Sequence, residues 1–213
     1  MRLYLPASIF LAILNDYVSD ANDLRSLDVA MSDTNMRCYY LSIYDNISMP
    51  CFESKEFVHT LSSLLWTMAR NIKLSDIVIT SLSHKTLHVI DELLSQSPTS
   101  LHTITFDKCN FFNERCSLNE RCNHVETMII RNSMISNNAL KGLTKSMHKL
   151  RIITLDFENC EEHDQNISDT ALYVLANNCK QLRRINTRYA LHISEGCLQR
   201  IRNSNSIEIY SGF

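Results

Sequence analysis

The chain has 213 residues, of which 45% are hydrophobic and 21% are charged, and its formal net charge is -2. It is long enough to bury a sizeable core, and its charge does not predict a nucleic-acid binder, which usually carries a basic domain or stripe. Only three glycines are present, so neither a P-loop nor a dinucleotide-binding glycine motif can be built. These absences predict a protein that is not an enzyme and holds no cofactor or metal.

Residues 1–45 are predicted to form helices. Pro6 stands where the first turn of a helix accepts proline, and Ile9, Ile13 and Tyr17 recur at the spacing of one helix face. A secretory signal is the alternative for the apolar start, but Pro6 interrupts it and no A-x-A-like cleavage site follows. No run of 18 apolar residues occurs, so we expect no membrane span.

Residues 46–70 are predicted to connect this region to the rest of the chain. A turn is expected over residues 46–50, and a helix over residues 53–69. That helix has an apolar stripe formed by Phe57, Leu61, Leu64, Leu65 and Met68. We therefore expect a connecting helix with one buried face.

Residues 71–213 repeat a short phrase of the form L-x-x-L-x-L. Its copies begin at Leu74, Leu101, Val125, Leu150 and Leu182, and a truncated copy contains Ile207-x-Ile209. The copies recur every 22 to 32 residues, and the longest interval contains an acidic loop over residues 158–166. A fixed period of this size indicates stacked units, each too small to bury its apolar side alone.

A second phrase, six residues long, follows the strand phrases. In order, it consists of an apolar residue, Ser, a polar residue, any residue, a small residue and Leu. It occupies residues 135–140, 167–172 and 193–198, and a weaker copy occupies residues 82–87. The Ser stands where a helix N-cap is expected, because its hydroxyl can accept from an otherwise unpaired backbone N–H. Each unit is therefore predicted to be strand, loop and helix.

The eight cysteines fall at irregular spacings and form no C-x-x-C pair. We therefore expect Cys109, Cys122 and Cys179 to be reduced thiols in the core. A zinc site built from Cys109, Cys116, Cys122 and His124 is the alternative, although those spacings do not match a zinc knuckle.

These phrases resemble the cysteine-containing class of leucine-rich repeats. The matching residues are Cys122-x-x-Val125, Cys179-x-x-Leu182 and Phe106-x-x-Cys109, whereas Pro98, Met147, Ser133 and Ala190 depart from the pattern. The resemblance covers roughly residues 74–210. It implies an α/β solenoid of about six repeats, with short parallel strands on one side and helices on the other, used for protein binding.

The N-terminal region resembles an F-box. Its order is Leu5-Pro6-x-x-Ile9, Ile13-Leu14, Tyr17-Val18, Asp23-Leu24-x-x-Leu27 and Ala30. Ser8 replaces a common Glu, and the late Cys-x-x-Trp portion is absent. The resemblance implies a substrate-recognition subunit of a cullin-based ubiquitin ligase, cytoplasmic or nuclear, that binds the ligase adaptor through Leu5, Pro6, Ile9 and Ile13. The alternatives are a helical cap on the solenoid, and a scaffold without ubiquitin chemistry.

Alternation along the strands locates the predicted partner-binding surface. Successive side chains point to opposite faces, and in a curved stack of repeats the outward residues form a concave face. We expect contact with a protein partner at Val78, Thr105, Ile129, Arg131, Ile152, Thr154, Arg184, Asn186, Arg188 and Tyr210. Lys180, Arg183, Arg184 and Arg188 form a basic patch at the fifth unit, one unit after the acidic loop. If either feature is a recognition element, opposite charges side by side suit a polypeptide of mixed charge better than a phosphate backbone; the alternative is that both are solvated surface.

Overall fold

The computed structural model describes residues 48–49, 52–53, 73–80, 101–111, 120–160 and 165–212. The strands are β1 (Ser48–Met49), β2 (Phe52–Glu53), β3 (Lys73–Leu74), β4 (Asp76–Thr80), β5 (Thr103–Asp107), β6 (Asn110–Phe111), β7 (Thr127–Arg131), β8 (Met134–Ser136), β9 (Ile152–Asp156), β10 (Gln165–Asn166), β11 (Arg184–Arg188) and β12 (Glu208–Gly212). The helices are α1 (Asn137–Thr144), α2 (Asp169–Asn178) and α3 (Glu195–Asn205), with a 3-10 helix at Glu120–His124. The predicted helical region 1–45, residues 54–69 of the helix predicted over residues 53–69, and the phrase at 82–87 lie outside the described residues. Glu53, the first residue of that predicted helix, lies instead in β2, where it pairs with Val78 of β4, so the predicted helix start is wrong.

The main sheet is parallel, with the strand order β2-β4-β5-β7-β9-β11-β12. Six of its strands have five residues each, and the first inward position of all six lies at one register. That column is Ile77, Ile104, Met128, Ile153, Ile185 and Ile209. The predicted α/β stack of strand and helix units is therefore confirmed for the described residues, in an arrangement compatible with a repeat solenoid.

The predicted alternation of faces is also confirmed. In β7, Met128 and Ile130 are fully buried, while Thr127, Ile129 and Arg131 are partly exposed. β4 and β9 have the same pattern of burial. The inward residues pack against the helices, so the core lies between the sheet and the helical layer.

The sheet extends upstream of the predicted start of the repeats. Ser48 pairs with Lys73 in β3, and Phe52 pairs with Ile77 in β4, both in parallel. The turn predicted over residues 46–50 is therefore wrong at Ser48–Met49. Turn propensity is a local signal, and here pairing with a strand 25 residues later outweighs it.

The serines of the second phrase begin the helices, as predicted. Ser136, Ser168 and Ser194 are the N-caps of α1, α2 and α3. The Ser136 hydroxyl accepts from the backbone N–H of Ala139 at 3.2 Å, and Ser194 accepts from Cys197 at 3.1 Å. Both bonds satisfy N–H groups that the first helical turn would otherwise leave unpaired.

The polar residue after the first two capping serines has a second role that the sequence did not reveal. The Oδ1 atom of Asn137 accepts from the backbone N–H of Ser168 at 2.9 Å, and the Ser168 hydroxyl accepts from Asn137 Nδ2 at 2.8 Å. One unit later, Asp169 accepts from the Ser194 N–H at 2.7 Å and from its hydroxyl at 2.6 Å. The start of each helix thus positions the start of the next.

Cysteines contribute to the core as predicted. Cys109, Cys122 and Cys179 are at most 2% exposed, and none of the five cysteines among the described residues forms a disulfide. The Cys109 thiol donates to the carbonyl of Ile79 at 3.4 Å, which links it to the preceding strand. No helix within the described ranges is both long and apolar enough to cross a membrane.

Candidate functional site

The outward residues of the main sheet form three columns at the predicted positions. The first column is Asp76, Thr103, Thr127, Ile152, Arg184 and Glu208; the second is Val78, Thr105, Ile129, Thr154, Asn186 and Tyr210; the third is Thr80, Asp107, Arg131, Asp156, Arg188 and Gly212. Paired strands are spaced by about 4.8 Å, whereas packed helices need about 8–10 Å. This difference predicts a curved stack with the helical layer on its outer side, and the face that carries the three columns is called the concave face here.

Exposure within the second column is uneven. Tyr210 is 56% exposed, and Val78 and Ile129 are partly exposed, but Thr105 is only 5% exposed. Thr105 pairs with Val78 on one side and with Ile129 on the other, and two larger aliphatic neighbours at strand spacing cover a small side chain. Thr105 therefore lies on the predicted face but offers almost no surface of its own to a partner.

Charges in the third column alternate in sign from strand to strand. Arg131 contacts Asp107 at 3.4 Å, and Arg188 contacts Asp156 at 3.3 Å. Residues at one register of adjacent parallel strands are neighbours, so alternation in sign along a column produces ion pairs between units. Arg131 and Arg188 are predicted contact residues, and the sequence pattern did not indicate that adjacent carboxylates neutralise them.

Arg184 lies at the centre of a smaller cluster near the last strand. Its Nη2 and Nε atoms contact the same Glu208 oxygen at 2.9 and 3.2 Å. Its guanidinium carbon lies 5.3 Å from the centre of the Tyr210 ring, within the range of a cation–π interaction. Three exposed side chains thus contact one another at the end of the concave face.

Two polar residues in the second column are also joined. Asn186 Nδ2 donates to the hydroxyl of Thr154 at 3.0 Å across adjacent strands. Both were predicted contact residues, and both remain partly exposed. The centre of the concave face is therefore uncharged, with aliphatic, hydroxyl and amide groups between the charged columns.

The predicted basic patch is only partly a patch of free charge. Glu208 and Asp156 neutralise Arg184 and Arg188. Lys180 and Arg183 are exposed and make no ion pair within the part of the chain that the structure describes. Of the acidic loop, Glu158 is exposed, and residues 161–164 lie outside the described ranges.

The thiols are poorly suited to nucleophilic chemistry. Burial raises the pKa of Cys179 from 9.0 to about 12, and burial is also the main cause of a raised pKa at Cys197. A reactive cysteine needs the opposite shift, because the thiolate is the nucleophile. Among the described residues, no three His, Cys, Asp or Glu side chains are placed to hold a metal ion.

The predicted adaptor-binding residues Leu5, Pro6, Ile9 and Ile13 lie outside the described residues. The predicted contact residues on the strands lie on one face of the main sheet. Comparison of the chain with protein-family models gives no match, and comparison with curated proteins gives none either.

Proposed function

We propose that this chain is a non-catalytic receptor that binds a polypeptide through its concave face. One observation carries this proposal: Val78, Ile129 and Ile152 leave aliphatic surface partly exposed on a face that otherwise presents polar groups. Covering that surface removes apolar area from water, which is the main favourable term in protein association. Arg184 and Tyr210, on the same face, are of the residue types that dominate binding energy at interfaces.

The wider role that we propose is substrate recognition for a cullin-based ubiquitin ligase, in the cytoplasm or nucleus. Its support is the F-box-like order of residues 1–30 upstream of the repeat units. In this role the N-terminal region binds the adaptor and the concave face holds the substrate. A scaffold subunit that uses the same face without ubiquitin chemistry is the alternative.

Site-specific photo-crosslinking tests the binding face. A benzophenone amino acid replaces Tyr210 on the concave face, and in a separate variant it replaces Gln199, which is exposed on α3. We expect the probe at position 210 to capture a discrete partner in the cells that produce the protein, and the probe at position 199 not to capture it. Ile129→Asp should abolish that capture. Equal capture from both positions, or capture that survives Ile129→Asp, would refute the concave face as the binding surface.

A second experiment tests the ligase role. Replacing Leu5, Pro6, Ile9 and Ile13 together by Ala should remove adaptor and cullin subunits from the captured material but leave the partner crosslinked at position 210. If no adaptor is captured from the unaltered chain, and deletion of residues 1–45 unfolds the repeats, the N-terminal region is a cap. Recovery of one stable large assembly without cullin would favour the scaffold.

A further inference from the structure

A groove of about 380 Å³ runs across the N-terminal ends of strands β7, β9, β11 and β12. Thr127 and Ile152, from adjacent strands, belong to its lining and to the first column of the concave face. The rest of its lining is charged, with three arginines and two glutamates. It therefore extends the proposed binding face toward a charged edge.

Two of the three arginines are already neutralised. Arg151 contacts Glu126 at 3.1 Å, and Arg184 contacts Glu208 at 2.9 Å. Arg183 has no carboxylate partner among the described residues, and its side chain is exposed. Within the described residues, the groove thus contains one arginine without a counter-charge, immediately before the strand that pairs with the one carrying Ile152.

We propose that this groove binds a carboxylate side chain of the partner polypeptide, with Arg183 as its counter-ion. The inference rests on the proposed function, and it specifies the partner: an uncharged, partly aliphatic segment with one acidic residue. Arg184 is paired with Ile152 across adjacent strands, and Arg183 is the next residue along the chain. Neighbouring strands are about 4.8 Å apart and residues rise by about 3.3 Å, so the acidic residue stands within about three residues of the one that contacts Ile152.

A phosphate backbone fits this groove less well. Nucleic acids present a charge at every nucleotide, and their binders match it with several uncompensated cations. Here two arginines are held by glutamates, which would repel a second phosphate. Charge complementarity therefore favours a single carboxylate.

Selection of peptides from a phage-displayed library of random 12-residue sequences, with the full chain as bait, tests the proposal. We expect the selected peptides to share Asp or Glu within three residues of an aliphatic residue. Arg183→Glu should weaken their binding about fivefold, the upper end for an exposed ion pair. Lys180→Glu is the matched control, since it reverses an exposed charge in the same unit outside the groove. A peptide with Lys in place of its acid should bind Arg183→Glu better than the unaltered chain.

The possible failures can be told apart. If no peptide is selected, or if Ile129→Asp leaves binding unchanged, the concave face is not a polypeptide receptor and both proposals fail. If peptides bind in an Ile129-dependent manner but carry no shared acid, or tolerate Arg183→Glu, only the carboxylate groove is refuted. If a 12-nucleotide single-stranded RNA binds the unaltered chain but not Arg183→Glu, the groove binds phosphate, and the carboxylate proposal is likewise refuted.

Discussion

Ile129 and Ile130 are identical neighbours on opposite faces of β7, so truncating each to Ala tests the register of the sheet. Ile130 is 0% exposed and pairs with the inward residues Phe106 and Leu155 of the flanking strands. Ile129 is partly exposed and pairs with Thr105 and Thr154. The same chemical change therefore makes a core cavity at one position and removes surface at the other.

The expected costs follow from this difference. Ile130→Ala should lower the free energy of unfolding by about 3–4 kcal/mol, because Ile→Ala in a packed core costs about 2–5 kcal/mol. Ile129→Ala removes three carbons that are only partly buried, and at about 0.8 kcal/mol for each fully buried carbon we expect a loss of about 1 kcal/mol. Partner binding should show the reverse order, with the larger loss for Ile129→Ala.

Urea denaturation followed by far-ultraviolet circular dichroism measures both costs. The free energy of unfolding of both variants should fall with urea concentration at the same slope as in the unaltered chain. Equal slopes indicate that the surface exposed on unfolding is unchanged. If Ile129→Ala is as destabilising as Ile130→Ala, or more so, the strand register is wrong by one residue. The concave face described above would then be core.

Two further predictions concern the links between units and the buried thiols. Asp169→Ala should lower the free energy of unfolding by about 1–2 kcal/mol, because it removes both acceptors for Ser194 and hydrogen bonds to a charged group contribute about this much. Asp169→Asn, which imitates Asn137 one unit earlier, should lower it by about half as much. An unchanged urea midpoint in Asp169→Ala would show that this link contributes no stability. Burial raises the pKa of Cys179 from 9.0 to about 12, so the unfolded chain loses the thiol proton at lower pH than the folded chain. The stabilisation that the neutral, buried thiol provides is complete below pH 9, and the free energy of unfolding should fall by about 1.4 kcal/mol per pH unit above pH 9. The free energy of unfolding of Cys179→Ala should depend less steeply on pH between pH 9 and 11. Equal slopes in the two proteins would contradict this account.

The periodic part of the sequence was sufficient to predict most of the described fold. Alternation predicted that Ile130 points inward and Ile129 outward, and the recurring serines predicted where the helices begin. Both signals act within a few residues, through the pleat of a strand and the unpaired N–H groups of a helix start. Local patterns of this kind can be read without knowing what packs against them.

Tertiary structure decided the features that join distant parts of the chain. Pairing with Lys73 makes Ser48 part of a strand, although the local sequence favours a turn. Thr105 is covered because its neighbours at the same register happen to be larger, and Arg131 is neutralised by an aspartate 24 residues earlier. Each outcome depends on which residue stands opposite in the next unit. That identity is set by the spacing between units and varies along this chain, so only the assembled sheet determines which side chains are available to a partner.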